Sequence, residues 1–143
     1  MATVFPKLNE TLIKCVLEHI ENNLSEYDQN RWCWLRDDGQ DGEYCGTTGC
    51  VAGWAVMLST PVEKWKDLPS GRENSPSMCR FYRQRGADLL GLTYAEASRL
   101  FDVASGDPRE ALKTVKRRLA EIRDVREAVA RVEAALTSKE VTP

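Results

Sequence analysis

Apolar residues recur at three- and four-residue steps in the opening stretch of the chain: Leu8, Leu12, Ile13, Val16, Leu17, Ile20 and Leu24. That period draws one stripe along a helix. Pro6 suits the first turn, where its missing N–H costs nothing. The spacing predicts a helix from Pro6 to Leu24. The pattern then changes. Arg31-Trp32-Cys33-Trp34-Leu35 and Glu43-Tyr44-Cys45 flank the turn-prone Asp37-Asp38-Gly39-Gln40-Asp41-Gly42. Aromatics on both sides of such a loop predict a small β-hairpin. The apolar run from Cys50 to Leu58 predicts a short helix, ended by Thr60-Pro61. Residues 60–76, rich in Pro, Ser, Gly and Asn, read as a connecting loop.

Punctuation sharpens in the second half. Ser75-Pro76 opens a helix that runs to Leu90, with Gly91 just past its end. Thr93-Tyr94-Ala95-Glu96 is a capping-box pattern opening a helix to Ala104. Gly106 closes that helix and Asp107-Pro108 opens the last. There Leu112, Val115, Leu119, Ile122, Val125, Val129, Val132 and Leu136 keep the helical period. At 1.5 Å per residue this helix extends about 40 Å, long enough to span the domain or project as an arm. Thr137 to Pro143 read as a flexible tail. The expected fold is mainly α: one domain, a compact bundle of four or five helices with one small β-hairpin and a long C-terminal helix. Its core would join Leu12, Leu17, Ile20, Trp54, Leu58, Phe81, Leu89, Leu90, Leu100, Phe101, Leu112 and Leu119.

Composition narrows the classes of function. The 143 residues are 42% hydrophobic and 29% charged, with a net charge of −2, so no global field recruits nucleic acid or a membrane. Charge is uneven: residues 1–70 carry 6 basic against 11 acidic side chains, and residues 71–143 carry 14 against 11. No apolar run approaches the roughly 20 residues needed to span a bilayer. The start of the chain lacks the basic and apolar segments of a signal peptide. A cytoplasmic setting follows as the expectation, with the 5 cysteines reduced.

Two phrases stand out: Cys45-Gly46-Thr47-x-x-Cys50-x-Ala52-Gly53-Trp54-Ala55, and Leu89-Leu90-Gly91-Leu92-Thr93-x-x-Glu96-Ala97-x-x-Leu100-Phe101. In carrying both, in this order, the chain resembles small uncharacterised proteins of actinobacteria and their bacteriophages. The resemblance covers roughly residues 8–105. It implies a bacterial or phage accessory protein and transfers no catalytic residue.

The first phrase also carries the candidate chemistry. Gly46, Gly49 and Gly53 permit close approach of other elements. Thr48 would cap the helix ahead of Trp54, leaving Cys50 in a first turn where helix amides lower a thiol's pKa. A cysteine nucleophile there lacks a base, because the single histidine, His19, lies beside the stripe of the first helix. Cys33, Cys45, Cys50 and Cys79 would offer zinc four thiolates. Their spacings of 11, 4 and 28 intervening residues contain no short knuckle, so buried thiols are the favoured reading. The Asp37–Thr48 stretch echoes a calcium loop but lacks its closing glutamate.

DNA recognition is the main rival. Ala87, Gly91, Ala97 and Leu100 fit the crossing, turn and core positions of a helix-turn-helix. Arg80, Arg83, Arg85, Tyr94, Ser98 and Arg99 would face the duplex. The acidic balance counts against it. Trp32 and Trp34 share a face if their segment is a strand, either as core or as an exposed binding pair. With no complete catalytic set, the leading expectation is a non-enzymatic interaction module needing no cofactor. It would bind a host or phage protein, or pair with itself through the last helix.

Overall fold

The computed structural model describes residues 5–35, 48–71, 74–103 and 106–141. Among the described residues, five α-helices and a two-stranded antiparallel hairpin follow in the order α1 (Glu10–Asn22), β1 (Cys33–Trp34), β2 (Thr48–Gly49), α2 (Val51–Leu58), α3 (Pro76–Leu90), α4 (Tyr94–Phe101) and α5 (Pro108–Val141). The mainly-α expectation holds, hairpin and long last helix included.

Differences lie at the element ends, and each has a local cause. α1 begins at Glu10, four residues past Pro6, because Asn9 is its cap and accepts from the Leu12 amide at 3.1 Å. Asn9 also donates from its backbone to Leu90 O and from its side chain to Leu89 O. These bonds tie the start of α1 to the end of α3. Gly91 ends α3 in the left-handed conformation, φ 76°. The Lys7 carbonyl lies where a Cβ of Gly91 would stand, 2.0 Å away, so only glycine lets the chain entering α1 cross here.

The hairpin forms with a different second strand. Cys33 pairs with Gly49 and Trp34 with Thr48, whereas Glu43-Tyr44-Cys45 lies outside the described residues. The segment read as loop over 60–76 contains a 3-10 helix, Val62–Asp67. Trp65 fastens it by donating from Nε1 to the carbonyls of Met57 and Thr60. α4 stops at Phe101, short of Ala104, while α5 continues to Val141, beyond the tail boundary at Thr137.

α2 is the axis of the core. All of Val51 to Met57 is buried, the signature of a helix covered on every side. Around it pack Ile13, Val16 and Ile20 of α1, Met78, Tyr82 and Leu90 of α3, and Leu100 and Phe101 of α4. Leu112, Val115, Leu119 and Ile122 of α5 complete the core. Of the residues expected there, Leu12, Leu17, Phe81 and Leu89 pack at its edge. Leu58 is a correction: it ends α2 and is 40% exposed.

Candidate functional site

The glycine-and-cysteine stretch is a packing corner. Cys50, not Thr48, caps α2, and its Sγ accepts from the Gly53 amide at 3.4 Å. Thr48 lies two residues too early, in β2 opposite Trp34. Gly49 and Gly53 both sit against the Trp32 carbonyl, and a Cβ on Gly53 would stand only 1.7 Å from that oxygen. Trp54 is buried and donates from Nε1 to Glu26 O at 2.8 Å. The half-buried His19 lies over Trp54 with ring centroids 4.1 Å apart. Gly46 lies outside the described residues.

Burial overrides the helix-start effect on the thiol. Desolvation pushes Cys50 up to about 12 despite backbone hydrogen bonds that act the other way, which opposes a thiolate there and agrees with the favoured reading of a buried thiol. Burial also pushes Cys33 up. The Cys33 thiol meets Met57 Sδ at 3.7 Å. Cys79 Sγ accepts from Trp32 Nε1 at 3.0 Å. Among the described residues, no three His, Cys, Asp or Glu side chains stand together as metal ligands. Cys45 and all of the candidate calcium loop except Thr48 lie outside them.

The proposed DNA-reading face is largely engaged within the fold. α3 and α4 do turn at Gly91, with Ala87, Ala97 and Leu100 buried. Arg83 donates to both carboxylate oxygens of Asp102 at 2.9 Å and to Ser98 Oγ at 2.8 Å. Its guanidinium stands 5.6 Å from the Trp32 ring and 6.0 Å from that of Tyr94. Arg99 pairs with Glu121 of α5 at 2.5 Å. Arg80, Arg85 and Tyr94 remain exposed. Trp32 is buried, and Trp34 is half-buried beneath the Arg31 guanidinium, 4.9 Å from its ring. These tryptophans are therefore not an exposed binding pair.

Among the described residues, α5 carries the longest run of exposed apolar positions. Its first half is clamped to the body: Arg123 grips Glu10, and Arg118 donates to the carbonyls of Arg99 and Asp102. Arg126 makes the tightest clamp. It reaches both carboxylate oxygens of Glu96, at 2.8 and 2.6 Å, and the Gly91 carbonyl at 2.8 Å. Burial pushes the Glu96 carboxyl up. Hydrogen bonds from Arg126 and the Thr93 amide outweigh it and hold the group below its ordinary value.

Around and past this clamp the apolar stripe continues mostly uncovered, with Val129 half-buried. Among the residues of α5 whose burial is described, to 138, Ile122 is the last that is buried. Val125, Val132 and Leu136 are 58%, 58% and 55% exposed. At the root of the stripe, Phe5, Ala95, Ile122 and Val125 line a groove of about 570 Å³, with the Arg99–Glu121 pair also on its wall. The periodicity of α5 showed the stripe. The groove was not legible, because Phe5 and Ala95 are brought to α5 only by the packing.

Compared with family models, with curated proteins and with solved structures, the chain gives no match.

Proposed function

We propose that this protein is a non-enzymatic interaction module whose contact element is the distal half of α5. The observation that carries the reading is the stripe of Val125, Val129, Val132 and Leu136, which runs on beyond the body with three of its members more than half exposed. Contiguous exposed apolar surface marks interaction sites. A helix face with this period takes another helix against it. A membrane is the poorer occupant: no helix among the described residues is long and apolar enough to cross one. The stripe is also narrow and flanked by charge.

The rivals have less support. Thiol chemistry would need a thiolate at Cys50, which burial opposes. Duplex binding would need the cations of α3 and α4, two of which are committed to Asp102 and Glu121. The resemblance to actinobacterial and phage proteins supports a role as an accessory protein in a bacterial cytoplasm.

The test is a photoactivatable residue at Val132 in the producing cell, with a control at Lys113 on the exposed flank of the same helix. A discrete adduct from position 132 and none from 113 is expected. Equal labelling from both positions, or none from either, overturns the assignment of this surface.

A further inference from the structure

The geometry points to the cleft between α3 and the start of α4 as a docking site for a short extended peptide, one that carries an acid and a base on either side of an apolar residue. The site goes beyond the α5 surface, since no residue of α5 lines the cleft. The cavity measures about 450 Å³, and the buried Ala87 and Leu92 contribute its apolar lining. Tyr94 stands at its side, 72% exposed, more than any other large hydrophobic residue among those described.

The walls are held in place from within the fold. The Arg83 guanidinium lies 6.0 Å from the Tyr94 ring and is itself fixed by Ser98 and by both carboxylate oxygens of Asp102. Cys79 is engaged by the Trp32 indole. A second cavity of about 320 Å³ shares Cys79 and Arg83 with the first and continues toward Asn74 and Asn30. The two together leave room for a chain segment rather than a single side chain.

The remaining edge names the occupant. Arg80, Gln84 and Asp88 follow at four-residue steps on α3, line the cavity and are all exposed. Each step is about 6 Å along the helix axis. A cation, a carboxamide and a carboxylate therefore line about 12 Å of the cleft in that order. Among the described residues, none of these three side chains has a hydrogen bond or ion pair within the chain. An extended peptide rises about 3.3 Å per residue and turns every second side chain to the same face. Its positions i, i+2 and i+4 span about 13 Å, which matches the distance from Arg80 to Asp88. An acid at one end pairs with Arg80 and a base at the other with Asp88. The apolar residue between them rests on Ala87, Leu92 and Tyr94. The Gln84 carboxamide, donor and acceptor at once, meets the peptide group between the charges. A nucleic acid is the poorer occupant. Asp88 and Asp102 balance Arg80 and Arg83, so the cleft has no net positive charge with which to hold phosphates.

The test is an NMR titration of the isotopically labelled full chain with two peptides, each acetylated and amidated at its ends. One is Glu-Ser-Leu-Ser-Lys and the other its reverse, Lys-Ser-Leu-Ser-Glu, because the cleft admits either chain direction. Titration to about 2 mM reaches the weak end of specific recognition. Saturable shifts at the Gln84 side-chain amide and at the backbone amides of Ala87, Leu92 and Tyr94 are expected from at least one of them. Replacing the leucine of that peptide with glycine should weaken binding at least tenfold, since the apolar contact is lost. Glu-Ser-Leu-Ser-Glu should bind the parent at least tenfold more weakly and recover with Asp88→Lys. The same variant should lose the mixed-charge peptide. Position 88 is exposed and unpaired, so Asp88→Lys should keep the parent's melting temperature. No saturable shift from either mixed-charge peptide, or shifts scattered outside the cleft, overturns the inference. So does equal binding of Glu-Ser-Leu-Ser-Glu by the parent and by Asp88→Lys. The photo-adduct at Val132 reads a different surface, so each reading can fail while the other stands.

Discussion

Replacing Gly53 with alanine tests the contact on which the centre of the fold turns. In a helix without neighbours this change is favourable by about 0.5–1 kcal/mol, since alanine loses less backbone freedom than glycine. Here the added Cβ would stand 1.7 Å from the Trp32 carbonyl oxygen and 2.9 Å from its carbon. Real Cβ contacts essentially never fall under 3.0 Å, so α2 and the chain entering β1 must part by about 1.3 Å in a close-packed interior. No rotamer change relieves the clash, because the obstacle is backbone. Movement there also strains the Cys33–Gly49 pairing and the Cys50 thiol's 3.8 Å contact with the same carbonyl. Overpacking typically costs about 1–3 kcal/mol, and a backbone obstacle puts Gly53→Ala at the upper end. After the helix gain is subtracted, about 2 kcal/mol of destabilisation remains, or some 4–8 °C in melting temperature for a chain of this size. Thermal unfolding followed by circular dichroism reads it directly. Gly106→Ala is the control, since nothing lies within 4 Å of its Cβ position, and it should stay within about 0.5 kcal/mol of the parent. A Gly53→Ala protein as stable as the parent, or more so, would refute the close approach.

Three other outcomes follow from the same structure. Gly91→Ala should also lower the melting temperature, because it combines a left-handed backbone with a Cβ 2.0 Å from Lys7 O; an unchanged melt would contradict the crossing. Glu96→Gln should cost about 2 kcal/mol at neutral pH, as expected when a largely buried charged hydrogen bond loses a partner. The folded Glu96 carboxyl titrates below its unfolded value of 4.5, so its contribution is present above that pH and lost as pH falls through the folded value. The gap between parent and Glu96→Gln in urea unfolding should therefore close on acidification, and a gap constant from pH 7 to pH 3 would refute the pairing. Finally, alkylation near pH 8 should modify exposed Cys15 quickly and spare Cys33 and Cys50 until the chain unfolds. Rapid native labelling of Cys50 would show that its thiol is not held up to about 12 by burial.

The chain itself determined the helices, because local physical chemistry writes them: Ser75-Pro76, the Thr93–Glu96 box and Gly91 are start and stop signals that need no neighbour. They formed as read, with the box bonded in both directions. The long α5 followed from its period alone. The packing decided everything that depended on distant residues. Asn9 begins α1 because Leu89 and Leu90 lie beside it. Cys50 became a buried cap rather than a reactive thiol because desolvation at the centre of the core outweighs the field of one helix turn. The arginines of α3 and α4 carried the same charge in either reading, yet Asp102 and Glu121 bind two of them within the fold. Periodicity likewise gives the apolar stripe of α5 one uniform character. Only the tertiary structure divides it, burying the stripe as far as Ile122 and exposing Val125, Val132 and Leu136. The reason is simple: hydrophobic spacing states which face of a helix seeks cover, and only the length of its neighbours sets where that cover ends.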